Sequence, residues 1–314
     1  MNNTAVATSG QETAAIERPH TLARVMTWEL RRFRASRLLW VQALGFFSLL
    51  LPVTWATQRT SQFDFGSNGG SISGFVAGTS TLGLIHNLPT LLTLLVLLLP
   101  FIAADGVARD LQRRTYELIM TTALPIRAYV WGRYLVALLI SLGLALLMLA
   151  AILGMGVLLH LTVPEYPLPS VKAAVLLWVG MVLPAVVLVT SLVFAIVTLL
   201  PRLSTVVKVV TLVAWIVGSV VIPPGLRDQI PPSWYVNWDP TSAVTALGIL
   251  PQYSFSEARM AASESQFQDA FMAIENKMPL VGSWFGSHLV LAALGLVVVV
   301  VVSLAFKRSR DVLV

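Results

Sequence analysis

Six apolar segments, at about 38–57, 83–104, 129–160, 171–200, 205–222 and 284–306, constrain this 314-residue chain more than any other feature. A helix needs about 20 apolar residues to cross about 30 Å of hydrocarbon, and each segment reaches or approaches that length. Inside hydrocarbon, backbone N–H and C=O groups must bond within the segment, so runs of this kind fold as helices. The chain is 56% hydrophobic and only 11% charged, where a soluble domain carries about 25% charged residues. The fold class expected is an all-α integral membrane protein with six transmembrane helices, forming a transmembrane domain over 38–306. The third and fourth segments are long enough to tilt or protrude. Pro184 predicts a kink in the fourth. The fifth is the shortest and carries Lys208 near one end.

Charge placement sets the orientation. The formal net charge is +6, but the basic residues are distributed as topology requires, and no nucleic-acid partner is expected. With the N-terminus inside, sixteen of the twenty-one Lys and Arg fall on the cytoplasmic side. Only Arg59, Lys172, Arg227, Arg259 and Lys277 fall outside. The positive-inside rule counts such residues in short loops near the membrane. It places both termini in the cytoplasm, and the membrane expected is a bacterial cytoplasmic membrane. The chain has no cysteine, so disulfides and thiolate metal sites are excluded.

Taken in order, residues 1–19 are polar and read as a disordered cytoplasmic tail without a signal-peptide core. Residues 20–37 place Leu22, Val25, Met26, Leu30 and Phe33 on one helical face, with Arg24, Arg31, Arg32 and Arg34 elsewhere. An amphipathic helix in the cytoplasmic headgroup layer and a plain basic flank to the first span both fit. The 58–82 loop is rich in Gly and Ser and reads as mobile. The 161–170 loop is short and holds Pro164, Pro167 and Pro169. The large outer segment, 223–283, contains an amphipathic helix from about Ser256 to Lys277, with Trp234, Tyr235 and Trp238 as interface anchors. Its bland reading is a folded loop capping the bundle. Residues 307–314 form a short cytoplasmic tail. No internal repeat is visible, and no paired broken spans mark an inverted-repeat carrier.

The polar interruption from Asp105 to Tyr134 separates the second and third segments and carries Arg109, Arg113, Arg114, Arg127 and Arg133. Read as a helix, Val107, Leu111, Thr115 and Leu118 make one apolar stripe. Asp110 can pair with Arg113 or Arg114, and Arg113 with Glu117. Pro125 disfavours helix at Leu124 and starts a new segment. Residue type alone leaves two readings: a solvated positive-inside loop, or a short helix offered to a cytoplasmic partner.

The run D-L-Q-R-R-T-Y-E-L-I-M-T-T-A-L-P-I-R-A-Y-V-W-G-R-Y-L resembles the cytoplasmic coupling region of ABC-2 type transporter permeases. That pattern is an acidic residue, then G-T-L-E-L-L-L-S-T-P-L, then a hydrophobic-G-K-Y-L start to the third span. Thr115, Glu117, Leu118, Pro125, Gly132, Arg133, Tyr134 and Leu135 fall on it. Arg114 stands where Gly is usual, and Ala123-Leu124 moves Pro125 along. The W-D-P-T-S-A-V run loosely resembles the N-P motif between the family's fifth and sixth spans, with Asp239 in place of Asn. The resemblance implies an N-terminal elbow helix over 20–37 and a coupling helix between spans two and three. It also implies a second permease subunit, as homo- or heterodimer, and two copies of an ABC ATP-binding subunit that carries ATP and Mg. Export is the direction it favours. The docking residues it implies are Arg109, Asp110, Arg113, Arg114 and Glu117, with Leu111 and Leu118 as apolar anchors.

The chemistry in the chain fits a passive gate. Asp, Glu, Lys and Arg occur at span ends, not span centres, whereas proton relays and ion-coupled carriers need titratable groups in the membrane. No G-x-x-x-x-G-K-S/T occurs, so no P-loop nucleotide site is encoded and ATP hydrolysis on this chain is not expected. No cofactor and no metal site is expected either. His86, His160 and His288 map near the outer face, and a haem or redox protein using them is a minor alternative. A membrane anchor or scaffold subunit without transport is the main one. No intramembrane protease motif is present.

Overall fold

A computed structural model describes residues 21–59, 61–64, 73–104, 110, 125–164, 166–226, 231–253 and 264–312. The expected tail at 1–19 and nearly all of the 105–124 stretch lie outside the described residues. Among the described residues, six helices are long and apolar enough to cross a membrane: Leu39–Gln58, Thr81–Ala104, Ile126–Thr162, Val171–Leu199, Pro201–Gly225 and Ser283–Phe306. They are spans one to six of a multi-pass membrane protein. Their order is the one the hydropathy pattern predicts. Two bounds differ. Span five gains a turn because Pro201–Leu203 forms a 3-10 turn that runs straight into the helix at Ser204. The last helix continues to Val312, past the expected start of the tail at 307.

Before span one lies α1, Thr21–Ala35. It stops at Ser36, and a separate helix begins at Arg37. The Trp40 indole N–H donates to the Arg34 carbonyl at 2.9 Å, satisfying one of the acceptors a helix end leaves open. The chain is not wholly helical. β1, Ser61–Asp64, and β2, Ser73–Val76, pair antiparallel with Ser61 opposite Val76 and Asp64 opposite Ser73. This ribbon lies within the 58–82 loop, and its pairing satisfies backbone groups that an open loop would leave to water.

Spans two and four form the interior, with 72% and 67% of their apolar windows buried, while span five has 6%. Prolines shape the interior spans. Pro100 has no N–H to give the Val96 carbonyl, and span two breaks at Leu97–Leu98 between helices Thr81–Val96 and Leu99–Ala104. The kink expected at Pro184 takes the form of a π turn, Trp178–Val182, immediately before it. A second π turn, Val217–Val221, precedes Pro223 and Pro224 in span five. Glycine brings spans six and four together. A Cβ on Gly295 would sit 3.1 Å from the Leu188 Cα, so the two backbones are close.

The segment between spans five and six folds into α2, Ser233–Trp238, α3, Ala243–Ile249, and α4, Glu264–Glu275. Ala243, Val244, Thr245 and Ala246 are buried, so α3 packs into the bundle. The amphipathic helix expected over 256–277 is present as α4, and 254–263 lies outside the described residues.

Candidate functional site

A cluster of buried charge joins α1, the first turns of span three and the segment before it. Val25 and Glu29 are the buried residues of α1, four apart on one face. Val25 packs on Gly132, where an added Cβ would meet Val25 Cγ1 at 2.6 Å. Glu29 is the only acidic residue of α1 and is completely buried. Arg32, one turn on, reaches Glu29 Oε1 at 2.9 Å. Arg133 Nη1 approaches the same oxygen at 3.7 Å.

Arg133 is itself buried, and its Nη2 forms an ion pair with Asp110 Oδ2. The Tyr129 hydroxyl, one turn before Arg133, donates to the same Oδ2 at 2.9 Å. The guanidinium carbon lies 4.8 Å from the Tyr129 ring centroid and 5.3 Å from that of Trp28. Two carboxylates and two guanidiniums therefore balance, with aromatic faces over the central cation. Burying such charges is costly, and their mutual pairing is what makes the arrangement tolerable. The geometry holds three chain segments at one point.

Asp110 is the one described member of the proposed docking set. It is buried, and its carboxylate is turned toward Arg133 and Tyr129. Within this chain Asp110 faces Arg133 and Tyr129. The physical reason is the buried guanidinium beside it, whose charge needs an acid. Arg109, Leu111, Arg113, Arg114, Glu117 and Leu118 lie outside the described residues. Of the basic residues assigned to α1, Arg32 pairs with Glu29, while Arg24, Arg31 and Arg34 are exposed. Sequence reasoning passed over Glu29, Trp28 and Tyr129. The lone acid of a basic helix, four residues after Val25 on the apolar stripe, was the available signal.

A second polar knot lies at the opposite end of the bundle. Asp239 is buried. Its Oδ1 accepts from the Thr241 N–H at 3.0 Å and the Thr241 hydroxyl at 2.7 Å. Its Oδ2 accepts from the Val244 N–H at 2.6 Å and the Thr245 N–H at 3.4 Å. The carboxylate thus caps α3, and the chain enters that helix through Ser242 at φ 62°. Both oxygens act as acceptors, which an asparagine could not match. The Thr245 hydroxyl donates to the Val236 carbonyl at 2.6 Å. His288 places Nδ1 2.9 Å from the Gly180 carbonyl and Nε2 3.3 Å from Thr245 Oγ1. Gly180 is four residues before Pro184, so the acceptor that proline leaves unserved is taken by His288. His160 Nδ1 lies 2.6 Å from the Tyr166 carbonyl, and His86 is exposed on span two. The three histidines are thus in separate places, and His288 and His160 are engaged by the protein's own groups.

No protein-family model and no curated protein matches the chain. The class it belongs to, a multi-pass membrane protein with six spans, rests on the helices themselves.

Proposed function

We propose that this chain is the transmembrane permease subunit of an ABC transporter of the ABC-2 type, working with a separate ATP-binding subunit. The observation that carries the reading is the ion cluster around Arg133. It ties Asp110, inside the segment that resembles a coupling region, to both α1 and span three. A segment pushed by a partner would need such a rigid link to move spans. On this reading α1 is an elbow helix at the cytoplasmic membrane surface and 105–124 holds a coupling helix. Arg109, Arg113, Arg114 and Glu117 contact the ATPase, with Leu111 and Leu118 packed beneath them. Two such permeases, identical or not, face two ATPase subunits, which bind and hydrolyse ATP with Mg. ATP-driven closure of the ATPase pair moves the docked segments and opens a path, in the exporting direction. The protein resides in the bacterial cytoplasmic membrane with both termini inside.

The lack of charged residues at span centres and of a P-loop supports a gate driven from outside the chain. The test is affinity purification in mild detergent followed by identification of associated proteins. An ATP-binding cassette protein should co-purify with the native chain. Its association should fall at least tenfold with Glu117→Lys, while membrane insertion is unchanged. Purification without any such ATPase, or undiminished binding by the variant, counts against the reading.

A further inference from the structure

Glu275 closes α4, at the end of the bundle opposite α1. It is 3% exposed although it lies in no span. The Ala77 N–H, in the turn between β2 and span two, donates to its carboxyl. Oε2 is buried with no hydrogen-bond partner. The neighbouring Asn276 carbonyl accepts from the Thr81 hydroxyl at 3.2 Å, in the first turn of span two. This carboxyl and the carbonyl beside it are polar ties between the end of α4 and the start of span two, beside the apolar packing of Phe271 and Ile274 on the core.

No ion pair to Glu275 occurs among the described side chains, from which that of Arg59 is excluded. From the connection after span three comes Tyr166, whose hydroxyl donates to the Gln58 carbonyl at 2.8 Å and accepts from Thr79 at 3.2 Å. Burial pushes that phenol up, so it stays neutral around pH 7. His160 meets the Tyr166 carbonyl and not the carboxyl. Span two offers only uncharged residues over Thr81–Ile85. On the α4 segment itself, Asp269 and Lys277 are exposed. The carboxyl also sits at the negative end of its own helix, which disfavours a second negative charge there.

We propose that Glu275 is a proton-operated latch: its neutral acid holds α4 on the outer turn of span two, and ionisation releases it. Burial pushes the carboxyl up to about 7, against the Ala77 hydrogen bond that favours the charged form. The sign follows. A carboxyl raised in the docked state contributes stability that is present at low pH. That contribution is lost as pH climbs from the ordinary carboxylate range through about 7. The latch is independent of whether an ATPase docks on the other end.

The chain has no cysteine, so spin labels can be placed without background at Leu168→Cys and Asp269→Cys, both exposed positions. Pulsed dipolar spectroscopy of the full chain in nanodiscs would then measure their separation at pH 5 and pH 8. The docked, narrow distribution should dominate at pH 5. Its ratio to the released form should fall by up to about tenfold per pH unit from the ordinary carboxylate range to about 7, and level off above that. Glu275→Gln should hold the narrow distribution at both values. Glu275→Ala, which removes the acceptor for Ala77, should broaden it at both. A wild-type distribution unchanged by pH overturns the latch, as does a pH response that persists in Glu275→Gln.

Discussion

Arg133 shows how much one side chain can fix. In the sequence it reads as a positive-inside arginine at the start of a span and as one position of the pattern that resembles a coupling region. In the structure it is buried between Glu29 and Asp110. Removing one partner of such a group leaves the others charged and buried. Arg133→Met should therefore lower stability by about 3–5 kcal/mol, read as a fall in the thermal midpoint in detergent. Adding Glu29→Gln and Asp110→Asn to Arg133→Met should recover most of that loss, because no unpaired buried charge then remains. A triple variant as unstable as the single one would mean that packing, not charge, dominates. At Asp239 the same logic runs through hydrogen bonds. Asp239→Asn keeps the shape but turns one acceptor oxygen into a donor facing the Val244 N–H or the Thr241 groups. The expected cost is about 1–3 kcal/mol, read from the same melting curves.

At the scale of elements, small residues decide which helices touch. Gly132 lets α1 lie against span three, and Val25 fills the space above it. Gly132→Ala would force a β-branched neighbour to move and should cost about 1–3 kcal/mol. Val25→Ala on that background should restore much of the loss, since it vacates the clashing volume. If the pair is no better than the single variant, α1 is not held by this contact. The prolines act differently. Pro184 and Pro100 each withdraw a backbone donor, and the chain answers with a π turn in one case and a break in the other. Pro184 was legible as a kink. That the orphaned Gly180 carbonyl would be met by His288, 108 residues away, was not. Nothing in the local sequence links the two.

For the whole molecule, orientation is the open physical quantity, and it is accessible to labelling. Single cysteines at Arg24 and Leu168 lie at exposed positions on opposite ends of the bundle. With the positive-inside orientation, a membrane-impermeant maleimide applied to intact cells should label Leu168→Cys and spare Arg24→Cys. The reverse pattern would invert the protein and put the 105–124 segment out of reach of the proposed ATPase. Span five, which exposes Val206, Val209, Val213 and Val220, gives the bundle a broad apolar face.

The sequence by itself determined the span count and the order of the spans. Those follow from runs of apolar residues, which are local, whereas residues 20–37 left a helix and a plain basic flank both open. Only the tertiary structure decided that Glu29 and Asp110 turn inward onto Arg133. It alone decided that the Asp239 knot caps a helix inside the bundle and that Glu275 is sealed against Ala77. Each of these depends on groups far apart in the chain meeting where water is excluded. There a charge or an open hydrogen bond must find its partner in the protein, and sequence spacing carries no record of that partner.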